Sequence, residues 1–349
     1  MDAMHLKYMQ RAIALGHKGT RLSYPNPSVG AVIVCNDVII GEGYTDAYGG
    51  PHAEVNAINS VKDESLLSKS TMYVTLEPCS HYGKTPPCAN LIEAKKIPKI
   101  YIGCMDTFSK VSGKGIEILL KAGREVHVGI LEEECLELHK RFLTFHNKQR
   151  PYVILKWAET KDGFIDKERI VDGIEDAKPT WISNELSQQK VHQIRAEEHA
   201  ILVGTKTALK DNPSLTTRSV AGASPIRILV DRTLKVPQHY SLYSGEVKTF
   251  VFTEQNAVHE NVVFKQIDFS KSILPQILAE LHQENIQSVL VEGGKQLLTS
   301  FIEEDLWDEA LVFVGKSQFT KGVTAPEIKL KPIKESYLQG DLLKHYISS

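Results

Sequence analysis

The chain has 349 residues, a length that suits two domains of ordinary size rather than one compact core. Its formal net charge is only −2 and no run of lysine and arginine follows one face, which argues against a nucleic-acid partner held mainly through phosphates. No stretch approaches the roughly 20 apolar residues of a membrane span, so no membrane partner is expected either.

The first residues, Met1 to His5, lack the basic and then apolar order of a secretion signal, and the five cysteines do not read as a disulfide framework. A cytoplasmic location is therefore expected. Residues 31–34 and 38–40 are apolar runs on either side of the turn pair Asn36-Asp37 and predict a hairpin. A helix is predicted over residues 52–59. Strands are predicted over 72–76, 100–103 and 125–128, with amphipathic helices near 88–96, 115–121 and 132–145. The polar segment Asn147 to Pro151 ends in proline and precedes a strand over 152–157, so the boundary falls there, between domains of residues 1–147 and 148–349. Beyond it, β-rich runs over 200–204, 226–230, 249–252, 288–291 and 310–314 alternate with helices near 184–195, 273–283 and 295–302. This alternation predicts an α/β domain with a mostly parallel sheet covered by helices.

The chemistry concentrates first at His52-Ala53-Glu54, followed by Pro78-Cys79 and Cys88. One imidazole and two thiols supply three zinc ligands, and the carboxylate two residues after the histidine is free to move protons. Such a site keeps an open position for water, whose pKa the metal lowers. The alternatives are a closed zinc knuckle, for which His81 is the nearby fourth ligand, or buried thiols without metal. Cys79 and Cys88 are both placed at the start of helices, where the positive end favours a thiolate. Cys35, Cys104 and Cys135 sit in apolar or helical runs and read as ordinary buried thiols.

The loop between Cys79 and Cys88 is longer than the two residues that separate the cysteines in the usual zinc-deaminase signature. The segment Glu77-Pro78-Cys79-Ser80-His81-Tyr82-Gly83-Lys84-Thr85-Pro86-Pro87-Cys88 resembles the deaminase half of the bifunctional riboflavin-biosynthesis enzymes. Those enzymes deaminate a phosphoribosylated diaminopyrimidine and then reduce its ribose. From Arg150 onward the resemblance continues into their reductase half, through Trp181-Ile182-Ser183, Arg195-Ala196-Glu197, Asp211-Asn212-Pro213-Ser214-Leu215-Thr216-Thr217-Arg218 and Val291-Glu292-Gly293-Gly294. It thus covers nearly the whole chain. It implies a cytidine-deaminase-like αβα domain followed by a dihydrofolate-reductase-like α/β domain, with zinc and NADPH as cofactors and a homodimer or tetramer as the assembly.

Carried over by position, the resemblance implies zinc ligands His52, Cys79 and Cys88, with Glu54 as proton shuttle. It implies that Asn26 meets the pyrimidine and Lys84 the substrate phosphate; Asn26, flanked by prolines, is otherwise a turn residue. In the second domain a strand ending at Gly293-Gly294 and a helix starting at once offer close backbone approach and unpaired N–H groups to a phosphate, though the pair alone is a common tight turn. The resemblance assigns Gly293, Gly294, Lys295, Gln296, Leu297, Leu298, Thr299 and Ser300 to the cofactor, with Ala158, Trp181, Thr207 and Asp211. For Trp181 core packing is a strong alternative, compatible with the cofactor role. Glu292, Arg195, Arg218 and Leu215, the last through its backbone, are implied substrate contacts.

Lys156, near the end of its predicted strand, is implied as a group beside the nicotinamide; without the resemblance it is equally a lysine snorkelling from a sheet edge. Arg195 and Arg218 are forked cations suited to a sugar phosphate, or salt-bridge arms at the surface. Arg232 reads as a charged surface residue rather than a contact to the cofactor's 2′-phosphate. The chain departs from the family at Asp106-Thr107-Phe108-Ser109, at Thr160-Lys161-Asp162-Gly163, in a long segment from Phe164 to Thr180, and at Pro179, where the family has serine. Two rival functions are a nucleoside or tRNA deaminase fused to an unrelated domain, and a non-catalytic sensor that keeps a structural zinc.

Overall fold

The computed structural model describes residues 3–80, 86–107, 113–170 and 174–348. The chain forms two compact units, Met1–Gln149 and Arg150–Ser349.

In the first unit, helix α1 (Ala3–Gly19) precedes a hairpin of β1 (Gly30–Cys35) and β2 (Val38–Tyr44). Asn36 and Asp37 take positive φ in its turn, a conformation that short polar side chains tolerate best. Then follow α2 (Ala53–Asn59), β3 (Thr71–Leu76), α3 (Cys88–Ala94), β4 (Lys99–Cys104), α4 (Lys114–Lys121), β5 (Glu125–Val128) and α5 (Glu132–Lys148). The strands lie in the order β2-β1-β3-β4-β5, with β1 antiparallel to both neighbours and β3, β4 and β5 parallel.

Every residue of β1 is buried. Successive residues of a strand face opposite sides, and two close approaches show which helix covers which side. A Cβ on Gly30 would lie 1.9 Å from the Ala12 carbonyl oxygen of α1. One on Gly43, which pairs with Ala31 and so faces the other way, would lie 2.4 Å from the Ala53 carbonyl oxygen of α2. Helices α1 and α5 pack together on one face, and α2, α3 and α4 adjoin one another on the other. The result is an αβα sandwich whose second face carries the metal segments.

The second unit runs β6 (Tyr152–Glu159), β7 (Phe164–Asp166), α6 (Glu185–Glu197), β8 (Ala200–Gly204), α7 (Thr205–Asp211), β9 (Ile226–Val230), β10 (Thr249–Thr253), β11 (Val262–Gln266), α8 (Ile273–Gln283), β12 (Ser288–Val291), α9 (Lys295–Glu303), β13 (Glu309–Val314), β14 (Val323–Thr324), β15 (Lys334–Leu338) and β16 (Asp341–Ile347). Its main sheet has the order β11-β10-β9-β8-β12-β6-β13-β16-β15. From β11 to β13 all pairs are parallel; β16 and β15 add an antiparallel margin that the sequence pattern does not predict. Both faces are buried along the central parallel strands, and β6 shows it: Val153, Leu155 and Trp157 enter one core and Tyr152 and Ile154 the other. That is why this strand reads as a continuous apolar run rather than an alternation.

Candidate active sites

Three local structures assemble the metal cluster. His52 is the N-cap of α2, in extended conformation, and puts Glu54 in the first turn. Cys79 follows β3, and Cys88 is the first residue of α3. The donor atoms of His52, Cys79 and Cys88 lie within 4.8 Å of one another. His52 presents Nδ1, 3.5 Å from Cys79 Sγ and 3.4 Å from Cys88 Sγ. Tetrahedral zinc at ordinary bond lengths would separate a nitrogen from a sulfur by about 3.6 Å, so the donor set fits that ion. Among the described residues no fourth ligand joins the group. His81, the fourth ligand of the closed alternative, and Lys84 lie outside the described residues, as do Phe108 and Ser109.

Only one of the two cysteines opens a helix. Cys79 lies outside any helix or strand, yet α3 still reaches it, because the main-chain N–H of Cys88 donates to Cys79 Sγ at 3.3 Å. The hydrogen bond from the Cys88 thiol pulls Cys79 well below the ordinary thiol value, against its burial, and His52 and that N–H add to the effect. Cys88 is correspondingly pushed up, and His52 is raised by its bond to Cys79. Glu54 is 3 % exposed; its burial, with the charge of Cys79, lifts its carboxyl to about 7. A carboxyl at that value both gives and takes protons near neutrality.

Asn26 occupies a turn before β1, where its N–H donates to the Ser23 carbonyl at 2.8 Å and its own carbonyl accepts from Ser23 Oγ at 3.0 Å. Neither bond uses its carboxamide. Asp106 is buried.

The second unit holds a cleft of about 1790 Å³. Ligand pockets commonly span about 300–1,000 Å³, so two ligands have room side by side. Lys156, Gly204, Val230 and Glu292 line it, which puts it at the carboxyl ends of β6, β8, β9 and β12, where ligands bind in sheets of this kind. Lys156 lies inside β6, a central strand, and not at a sheet edge. Its Nζ is 3.4 Å from Glu292 Oε2, so it does not snorkel. Arg195 of α6 clasps the same carboxylate with both arms, Nε to Oε1 at 2.7 Å and Nη2 to Oε2 at 2.9 Å. The fork expected to bind a phosphate is thus committed to Glu292.

The three side chains are only 10–13 % exposed. Burial alone would raise Glu292, but Arg195 and Lys156 outweigh it and hold the carboxyl at about 2. Burial pulls Lys156 below its ordinary value; Arg195 adds to this and Glu292 opposes it. Arg218 lines the cleft, and its guanidinium bonds to hydroxyls, of Ser214 and, at 3.4 Å, of Thr216; no carboxylate pairs with it among the described residues. Leu215 has φ of +53° and a buried side chain, so its main chain is what it offers the cleft.

Thr207 and Asp211 stand on α7 and both line the cleft. Asp211 is raised by burial, opposed by Arg169, with which it pairs. Arg169, which no motif marks, also donates to the carbonyls of Lys178 and Lys210 and so ties Lys178 to the end of α7. Trp181 is 62 % exposed and lines the cleft, which overturns the core-packing alternative; Ala158 lines it as well. Arg232 is exposed and paired with Glu254 at 2.7 Å.

Gly294 caps α9, and Gly293, Gly294, Lys295, Gln296, Leu297, Thr299 and Ser300 face the cleft. Leu298 does not. It is fully buried in the core, because the helix turns that position away from the opening, so its assignment to the cofactor is corrected. The N–H groups at the start of α9 suit a phosphate, and the buried Thr299 hydroxyl has no partner among the described residues. Size, helix end and spare hydroxyl together fit a dinucleotide.

Residues 2–104 match the family model of the cytidine and deoxycytidylate deaminase zinc-binding region, and residues 151–316 match that of the RibD C-terminal domain. The riboflavin biosynthesis protein RibD of Aquifex aeolicus is 38 % identical over 335 residues, 94 % of this chain and 92 % of that one. The crystal structure of a diaminohydroxyphosphoribosylaminopyrimidine deaminase/5-amino-6-(5-phosphoribosylamino)uracil reductase from Thermotoga maritima superposes with a TM-score of 0.90 at 36 % identity, covering 99 % of both chains. Acinetobacter baumannii RibD gives 0.87 at 31 % identity, also over 99 % of each. With likeness of this depth over nearly its full length, and with a zinc-binding deaminase part followed by an NADPH-dependent reductase part, the chain belongs to the RibD family of bifunctional riboflavin-biosynthesis enzymes.

Proposed function

We propose that the chain performs two consecutive reactions on phosphoribosylated pyrimidines. The first is hydrolytic deamination of 2,5-diamino-6-(5-phosphoribosylamino)pyrimidin-4(3H)-one. The second is NADPH-dependent reduction of the ribose of 5-amino-6-(5-phosphoribosylamino)uracil to the ribityl form. Residues 1–147 are the deaminase domain and residues 148–349 the reductase domain. The observation that carries the proposal is the trio of donors spaced for tetrahedral zinc beside the buried carboxyl of Glu54.

In the first site His52, Cys79 and Cys88 hold zinc, which supplies Lewis acidity toward water when bound. Glu54 takes a proton from the attacking water and gives it to the ring nitrogen, then takes the second proton from the hydroxyl now on the ring carbon and delivers it to the leaving amine. A ring carbon–oxygen bond forms, the carbon–nitrogen bond breaks and ammonia leaves. Asn26 meets the pyrimidine and Lys84 the phosphate.

In the second site NADPH supplies hydride, and the chain supplies position and charge. The ribosylamine opens to an imine, to which hydride adds at C1′ and a proton at nitrogen. Glu292, kept ionised, accepts hydrogen bonds from the substrate; Arg195 fixes its plane, and Lys156 places a cation beside the nicotinamide. Arg218, which pairs with no carboxylate among the described residues, takes the phosphate next to the main chain of Leu215. The start of α9, with Thr207, Asp211, Ala158 and Trp181, holds the dinucleotide. A homodimer or tetramer working in the cytoplasm accompanies this proposal.

Incubation of the purified protein with the diaminopyrimidine ribotide tests it directly. Ammonia should appear without NADPH, and NADPH oxidation should follow in the same tube. Glu54→Gln should abolish ammonia release while zinc content and reduction of the deaminated compound persist. Ammonia release that survives this change removes Glu54 from the proton path.

A further inference from the structure

Glu77 is 4 % exposed, two residues before Cys79, and no lysine, arginine or histidine pairs with it among the described residues. Its carboxylate is satisfied by main chain instead. Oε2 accepts the N–H of Gly113 at 3.0 Å, and Oε1 accepts those of Gly115 at 2.9 Å and Ile116 at 3.4 Å. These are the free N–H groups at the start of α4, so an anion from another element caps that helix with the favourable sign of its dipole. The contact is tight on the other side of the turn as well. A Cβ on Gly115 would lie 2.0 Å from the Pro78 carbonyl oxygen, so α4 rests directly on the peptide that leads into Cys79.

We propose that Glu77 and Gly115 form a clamp that positions Cys79 for the metal: the helix start grips Glu77 from one side and abuts Pro78 from the other. The clamp rests on the zinc site proposed above. Glu77 is a positioning residue, since it touches neither metal nor substrate. Apart from the clamp, the bonds that hold Cys79 among the described residues are the Ala89 N–H to its carbonyl at 3.2 Å and the contacts of its Sγ with the Cys88 N–H at 3.3 Å and His52 Nδ1 at 3.5 Å. Residues that orient a metal ligand typically change metal affinity roughly 10–100-fold when altered.

The test is the rate at which zinc leaves the full-length protein for an excess of a chromophoric chelator. Glu77→Gln replaces one acceptor oxygen with an amide that points donors at donors. It should speed zinc release by about 10–100-fold. Glu77→Asp, which keeps the charge, should fall between it and the parent, and Gly115→Ala should act in the same direction as Glu77→Gln. Circular dichroism and NADPH oxidation with the deaminated substrate verify that each variant is folded. Zinc leaving folded Glu77→Gln at the parental rate, while the melting temperature alone drops, would make Glu77 a helix cap only and overturn the clamp. His52→Ala separates the two proposals: if it binds zinc like the parent, the metal assignment itself fails, whatever Glu77 does.

Discussion

Glu292 is the residue on which the second site turns, because one carboxylate faces two buried cations. Removing its charge leaves Lys156 and Arg195 close together without compensation, and breaking such a pair usually costs about 3–5 kcal/mol. Glu292→Gln should therefore destabilise the second unit by that order, measured by denaturant unfolding, as well as abolish reduction. The pH dependence has a definite sign. A carboxyl lowered from its ordinary 4.5 to about 2 contributes stability that is fully present above the ordinary value and is lost as pH falls toward 2. The parent should lose stability steeply between about pH 4.5 and 2, and Glu292→Gln should lack that part of the slope; equal slopes would show that the carboxylate is not held down in the folded protein. The metal trio was legible in the sequence because chemistry fixes which residue types bind zinc. The Lys156-Glu292-Arg195 triad was legible only as separate charged residues: its members are far apart in sequence and meet only when β12 lies between β6 and β8. Nothing in the order of residues says that Arg195 faces Glu292 rather than a phosphate.

At the scale of elements, hydrophobic period and turn chemistry carried most of the outline. The Asn36-Asp37 hairpin, β8, β9 and β12 lie where the apolar runs put them. Helix α1 lies outside the predicted elements although Tyr8, Met9, Ala12 and Leu15 are buried at helical spacing, because polar and charged residues interrupt that stripe. Helix α7 is short, and its polar Thr-Lys-Thr start has no apolar period to mark it. The β15–β16 margin of the second sheet has mixed burial and follows a long irregular stretch, so its pairing is set by β13 and not by its own pattern. Close helix–strand approach in the first unit gives a sharper expectation. Gly30→Ala drives a methyl into the backbone of α1, which cannot swing aside as a side chain would. It should destabilise the first unit by about 1–3 kcal/mol. Hydrogen exchange is the suitable measurement: amides of β1 and α1 should lose protection, and unchanged protection there would mean that α1 shifts at no cost.

For the whole molecule, two compact units with different donor sets imply that the two chemistries can be removed one at a time. The first unit depends on an ion gripped by a histidine and two thiols; the second has no such trio among its described residues and relies on fixed charges around a dinucleotide cleft. Stripping the protein with a strong chelator should therefore stop ammonia release from the diaminopyrimidine ribotide while NADPH oxidation with the deaminated compound continues, and added zinc should restore the first activity. The reciprocal variant, Arg218→Met, removes a cleft arginine of the second unit that has no carboxylate partner among the described residues and should raise the KM for the deaminated substrate, leaving its KM for NADPH and the deaminase rate alone. A forked cation that meets a phosphate contributes about 1.5–3 kcal/mol, which corresponds to a change of roughly 10–100-fold in that KM. If chelation halted both reactions in a protein that stays folded, zinc would be serving the reductase as well, and the division of labour between the two donor sets would have to be abandoned.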